Sequence, residues 1–220
     1  MDDKTYTEKF VHLSSLVEEH LESAPGCHDF EHVTRVLQNS RLILERESGA
    51  DVRIVELAAL LHDIARPEEL AANGAICHAE YGAKLAIPFL EKCGFTDTAM
   101  QKEISLCILR HRYRGQNRPE TLNEKIVYDA DKLDSIGAVG IGRAFHFAGR
   151  TGAKLHNTEK EALASEAYSS GDTAYREYLV KLRNVPGKML TETGRSLAAI
   201  RASFMDDFFK ALNTEVSGTR

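Results

Sequence analysis

The sequence is poor in most features that would take it out of the ordinary globular class. No apolar run approaches the ~18 residues that a membrane-spanning helix needs, so no membrane association is expected. Only four cysteines occur, Cys27, Cys77, Cys93 and Cys107, and no two have C-x-x-C spacing. In a chain of 220 residues they read as reduced, mostly buried thiols and not as a disulfide framework. Positive charge is not in excess. The net charge of −5 argues against binding a nucleic-acid polymer, which needs a broad basic surface. A small anion held by a few local Arg and Lys residues remains compatible with that charge. There is no sustained period-two alternation, no internal repeat and no low-complexity tract. Neither G-K-[ST], nor G-x-S-x-G, nor a catalytic cysteine setting appears, so a phosphate-cradling loop and a serine nucleophile are set aside. The opening MDDKTYTEKF is polar and acidic, unlike a signal peptide, and a cytoplasmic protein is expected.

What is present is helical patterning. Apolar content of 43% and charged content of 28% are ordinary, and the length suffices to bury a core without staples. Residues 4–22 read as a helix with Phe10, Leu13, Val17 and Leu21 on one face, ended by Pro25–Gly26. Further helices are predicted over about 29–47, from Asp51 to near Pro67, over 77–93, and from Thr96–Asp97 to Tyr113. Asp51 is a natural N-cap, IVELAALL marks a central buried helix, Pro88 suggests a kink or break, and Gly94 suits a C′ position. Helices over 122–136, 143–149, 159–183 and 192–214 complete the prediction, with Gly137, Gly140 and Gly142 as a turn and 150–158 as a loop or insertion. The fold class is all-α, read as one domain over 1–220. Its metal-binding core spans about 25–143 and a C-terminal helical cover about 150–214. Phe204, Met205, Phe208 and Phe209 are expected in the core or on a homodimer face.

Four residues carry the chemistry. His62 and Asp63 sit side by side in ALLHDIA, at the end of the most apolar run, where an unpaired charge is costly to bury. His32 and Asp131 come from two other predicted helices. One divalent cation satisfies all four groups at once. Mixed imidazole and carboxylate donors suit Mn²⁺, Fe²⁺, Co²⁺, Ni²⁺ or Zn²⁺, and Mg²⁺ is a further candidate. Such an ion lowers the pKa of a bound water and polarises a phosphoryl group.

These residues stand in the order H…HD…D, in H32-V-T-R-V, L-L-H62-D63-I and D-A-D131-K-L-D. In this the chain resembles the HD-domain metal-dependent phosphohydrolases. C27-H-D-F-E-H-V-T-R-V36, H78-A-E-Y-G-A, D129-A-D-K-L-D-S-I-G-A-V-G-I-G-R143, M189-L-T-E-T-G-R and R201-A-S-F-M-D-D-F-F extend the resemblance over roughly 25–213. They look like the cytosolic bacterial HD hydrolases for which nucleotide pyrophosphatase activity is known. The resemblance implies an HD-domain helical bundle with additional C-terminal helices. It also implies His32, His62, Asp63 and Asp131 as metal ligands. His28–Asp29 is a second HD dipeptide, but it precedes a helix. Asp29 reads as an N-cap and His28 as a pocket residue.

Around the quartet, His78 and His111 match the positions of two further histidines in dinuclear members of the family. They either hold a second metal or meet substrate phosphate. Arg110, Arg112, Arg114 and Arg118 surround His111 and are either a solvated face or a polyphosphate clamp. Arg66 and Lys132 adjoin the site in sequence and are candidates for neutralising developing charge in the catalytic step, in which Asp63 takes part as a ligand. Glu68 and Glu69 read either as exposed acids or, by the resemblance, as residues that orient the attacking water. Asp134, three residues past Asp131, reads as a partner that orients a ligand.

The expected function is hydrolysis of a small phosphate substrate. The resemblance favours a nucleoside triphosphate cut to monophosphate and pyrophosphate. A 5′-nucleotidase, a cyclic-nucleotide phosphodiesterase and a non-catalytic nucleotide sensor are the alternatives. The phosphodiesterase reading is weakened because H111-R-Y-R-G-Q-N-R-P lacks the G-Y-P of the cyclic-dinucleotide subgroup. The sensor reading is weakened because all four ligands are present.

Overall fold

The computed structural model describes residues 1–22, 29–112 and 117–218. Among them every regular element is helical and no strand occurs, so the all-α expectation holds. Among them, too, no helix is long and apolar enough to cross a membrane. The chain divides into two compact units, Met1–Asp131 and Lys132–Arg220.

In the first unit, α1 (Asp3–Leu21) starts under Asp2, whose carboxylate accepts from the Thr5 amide, and it buries Leu13, Val17 and Leu21 on one face. Helix α2 (Phe30–Leu44) is capped by Asp29, which accepts from the His32 amide at 3.0 Å. The second HD dipeptide thus supplies the structural cap expected of it, and the cap fixes the turn that carries His32. Helix α3 (Val52–Leu61) is capped by Asp51 and buried at every position from Ile54 to Leu61. It packs on α2 and on α6, as a central helix should.

Helix α3 stops at Leu61, short of the predicted end near Pro67. The chain turns through 62–65, and α4 (Arg66–Ala71) begins with Pro67 in its first turn. Proline is favourable there, because the first helical N–H groups lack partners anyway. Helix α5 (His78–Lys92) runs unbroken through Pro88. It ends at Gly94, whose φ of +77° lets Phe95 N reach Leu90 O and Gly94 N reach Glu91 O, both at 2.9 Å. Helix α6 (Thr98–Arg110) packs on α5, with Ser105 Oγ donating to Ala83 O at 2.6 Å. Helix α7 (Leu122–Leu133) carries Asp131.

In the second unit, α8 (Gly137–Arg150) begins six residues earlier than predicted. Gly137 starts it at φ +75°, and a Cβ on Gly140 would collide with the Ser135 carbonyl. These glycines permit a close approach inside a helix and do not form a separate turn. The predicted helix over 159–183 is instead α9 (Glu159–Ala164), α10 (Ala174–Val180) and a 3-10 turn at Leu182–Asn184. Between them Ser165 is extended and Tyr168 has φ +61°. Asp172 holds that bend by accepting from Tyr168 N at 2.7 Å and from Arg176 Nη1 at 2.9 Å. Helix α11 (Glu192–Ser217) packs on α8. Of the apolar stripe, Met205 and Phe209 are buried and Phe204 is exposed. Phe209 stacks on Tyr178 at 4.4 Å between ring centroids.

Candidate metal centre

The apolar run of α3 ends on His62, the C-cap residue. Its ring turns back to the helix it terminates, with Nδ1 2.8 Å from Ala59 O. A carbonyl only accepts, so Nδ1 carries the hydrogen and the neutral ring keeps its lone pair on Nε2. Ala59 O is one of the carbonyls left over at a helix end. His111, the C-cap of α6, repeats the device with Nδ1 2.6 Å from Ile108 O.

His62 Nε2 points at His32 Nε2, 3.2 Å away. Asp63 Oδ2 lies 3.5 Å from His32 Nε2 and 3.6 Å from His62 Nε2. Asp131 Oδ1 lies 3.4 Å and 4.0 Å from the same two nitrogens. The quartet expected from sequence is therefore together, with both imidazoles and Asp63 buried and Asp131 partly open. Burial pushes the His62 pKa down to about 3, against the pull of Asp63 and Asp131.

The other oxygen of Asp63 faces a second group. Asp63 Oδ1 is 3.6 Å from His78 Nε2 and 3.5 Å from His111 Nε2. Both triads, His32–His62–Asp63 and Asp63–His78–His111, bring their donor atoms within 4.8 Å of one another. Lone pairs converging from imidazole and carboxylate repel unless a cation or a proton lies among them. The residues fit a divalent cation of intermediate hardness. Two imidazoles and two carboxylates match its charge.

The flanking residues are held by a set of ion pairs and hydrogen bonds. Arg66 donates from Nε to Asp63 Oδ1 at 2.9 Å and from Nη1 to Glu69 Oε2 at 2.7 Å. Burial opposes its charge, but Asp63 and Glu69 outweigh that and hold its pKa up. Glu69 also meets His78 Nδ1 at 2.9 Å. Burial alone would raise the Glu69 pKa. The hydrogen bond from His78 and the charges of His78 and Arg66 hold it below its usual range. Burial lowers the His78 pKa to about 4. Glu68 pairs with His20 at 3.4 Å.

Arg110 is tied to buried Glu124 through Nη1 at 2.9 and 3.1 Å. That pairing departs from the polyphosphate-clamp reading of the arginine run. Arg112 is exposed and meets Cys77 Sγ at 3.1 Å, and Arg118 is also exposed. Lys132 is buried directly after Asp131. Asp134 pairs with Arg143 at 2.6 Å. His28 and Arg114 lie outside the described residues. The Asp63–Arg66–Glu69 connection was missed from sequence, although three opposite charges three residues apart are the pattern that signals it.

The chain is similar to known proteins over much of its length. Residues 29–136 match the model of the HD domain. YpgQ of Bacillus subtilis (strain 168), an uncharacterised protein, is 34% identical over 193 residues, 87% of this chain and 85% of that one. Among solved structures, a predicted HD superfamily hydrolase from an uncultured Thermotogales bacterium is 31% identical with a TM-score of 0.66, over 93% of this chain and 91% of the other. A structure of Bacillus subtilis YpgQ in complex with ADP is 27% identical with a TM-score of 0.67, over 96% of each chain.

Proposed function

The chain belongs to the HD-domain family and is an HD-superfamily hydrolase, and from that premise we propose that it cleaves nucleoside triphosphates to monophosphate and pyrophosphate. The observation that carries the reading is the convergence of His32, His62, Asp63 and Asp131. His32, His62, Asp63 and Asp131 would hold one divalent ion, with Mn²⁺, Mg²⁺, Fe²⁺, Co²⁺ and Ni²⁺ as candidates. A bound ion of this kind acidifies water and polarises a phosphoryl oxygen. The nucleotide part is supported by the ADP complex of YpgQ, a similar protein.

The chain's own residues divide the remaining work. Arg66 holds Asp63 in place through Oδ1, leaving Oδ2 toward His32 and His62. Lys132 and Arg112 are assigned to the negative charge of the phosphates, where a preformed cation acts most strongly on charge that develops. His78 and His111 flank the reacting centre through Asp63 Oδ1. The metal-binding core is assigned to about 25–143. The free thiols of Cys77, Cys93 and Cys107 support a reducing, cytoplasmic setting.

The test is a panel of nucleoside tri-, di- and monophosphates and cyclic nucleotides. Each is offered with Mn²⁺, Mg²⁺, Co²⁺ or Ni²⁺, and orthophosphate and pyrophosphate are measured separately. Pyrophosphate released from triphosphates supports the reading. Orthophosphate from monophosphates alone overturns it in favour of a nucleotidase. Nucleotide binding without turnover overturns it in favour of a sensor.

A further inference from the structure

Glu69 closes a ring of four side chains. Its Oε1 meets His78 Nδ1 at 2.9 Å, and its Oε2 accepts from Arg66 Nη1 at 2.7 Å. Arg66 Nε donates to Asp63 Oδ1 at 2.9 Å, and that oxygen faces His78 Nε2 at 3.6 Å. Asp63, His78 and Glu69 are all more than four-fifths buried in their side chains. An ionised carboxylate has no hydrogen to give, so the Nδ1 beside Glu69 carries one, and the lone pair of neutral His78 is left on Nε2. A carboxylate behind an imidazole sets its tautomer and ring orientation in this way wherever the other nitrogen must donate electrons.

We propose that Glu69 is a positioning residue that fixes His78 in its Nδ1–H tautomer, so that Nε2 serves the centre as an electron-pair donor. In that state His78 cannot give a hydrogen bond to a phosphate oxygen. Its Nε2 can bind a cation or accept a proton from water. Backbone Ile108 O sets His111 the same way, so the two imidazoles present lone pairs side by side, with ring centroids 5.2 Å apart. Glu69 acts at one remove, through His78 and Arg66. Its effect on turnover rests on the metal-centre reading above, whereas the tautomer does not.

The test is nitrogen NMR of the histidine rings in full-length protein, free of metal and substrate, near neutral pH. Wild type is expected to show His78 protonated on Nδ1. Glu69→Ala moves it toward the Nε2–H form, and Glu69→Gln keeps the wild-type form because the amide oxygen still accepts. In kinetics, Glu69→Ala lowers kcat about 10–100-fold, the usual range for a residue behind a ligand, and Glu69→Gln retains most of it. An Nε2–H tautomer in wild type overturns the proposal, as does an unchanged tautomer in Glu69→Ala. Should Glu69→Ala fail to fold, the wild-type spectrum decides by itself. The spectra need no turnover, so failure of the substrate panel and failure of this proposal are separate results.

Discussion

His32 Nε2 and His62 Nε2 stand 3.2 Å apart, although thirty residues separate them in the chain. The hydrogen of His62 is committed to Ala59 O on the opposite side of the ring. The two side chains are fully buried, so bulk solvent does not reach the contact. Two carboxylates, Asp63 and Asp131, complete the circle around these nitrogens.

Asp63 is the residue whose loss should be most severe, because each of its oxygens faces a different pair of histidines. Asp63→Ala is expected to abolish Mn²⁺ binding in calorimetry and the rise in Tm that the metal produces. It should reduce turnover by more than the ~10–100-fold typical of residues behind the ligands. Retention of full activity and metal affinity would sink the assignment of the centre.

Acid should destabilise the metal-free protein. His62 and His78 have folded pKa values near 3 and 4, both depressed by burial, whereas an unfolded histidine titrates near 6.5. Between these limits the unfolded chain binds more protons than the folded one, so stability rises with pH. It is complete above about 6.5 and is lost as pH falls toward 3–4. Each histidine contributes a slope of up to about 1.4 kcal/mol per pH unit. Urea unfolding of chelator-treated protein at several pH values measures it, and a flat profile between pH ~6.5 and ~5 contradicts the prediction.

Asn39 ties the helix that carries His32 to the helix that carries Asp131. Its buried side chain donates to Ala130 O at 3.0 Å. Ala130 precedes Asp131, and Asn39 follows His32 by two helical turns on the same buried face of α2. That carbonyl is among the last four of α7, which lack partners inside the helix. Asn39→Ala should therefore cost about 1–3 kcal/mol in denaturant unfolding. It should also weaken metal affinity, read by titration. Unchanged values for both would show that the bond contributes nothing.

Much of the first unit was legible in the sequence because its signals are local and strong. Asp29 and Asp51 cap where short acceptors before apolar runs should, and Gly94 supplies the left-handed turn. His62 and Asp63 stood out because they end the most apolar run, where a charge needs a partner, and His32 and Asp131 joined them through the order of the motifs that the family resemblance rests on. Other features depend on contacts that a pattern does not report. Gly140 sits inside α8 because the Ser135 carbonyl comes too close for any side chain. The predicted helix over 159–183 is broken by a bend that Asp172 and Arg176 stabilise across it. The arginine run reads from sequence as either a solvated face or a phosphate clamp, and the pattern does not report that Arg110 pairs with buried Glu124, fourteen residues away.

The shared carboxylate of Asp63 also has a thermodynamic meaning. Any occupant drawn to Oδ2 by His32 and His62 withdraws electron density from Oδ1, and the reverse holds for anything drawn to His78 and His111. The two donor groups are thus coupled through one carboxylate. Whatever factor the first occupant imposes on affinity at the second, the second must return to the first. Arg66, which already donates to Oδ1, is the chain's own permanent entrant in that competition.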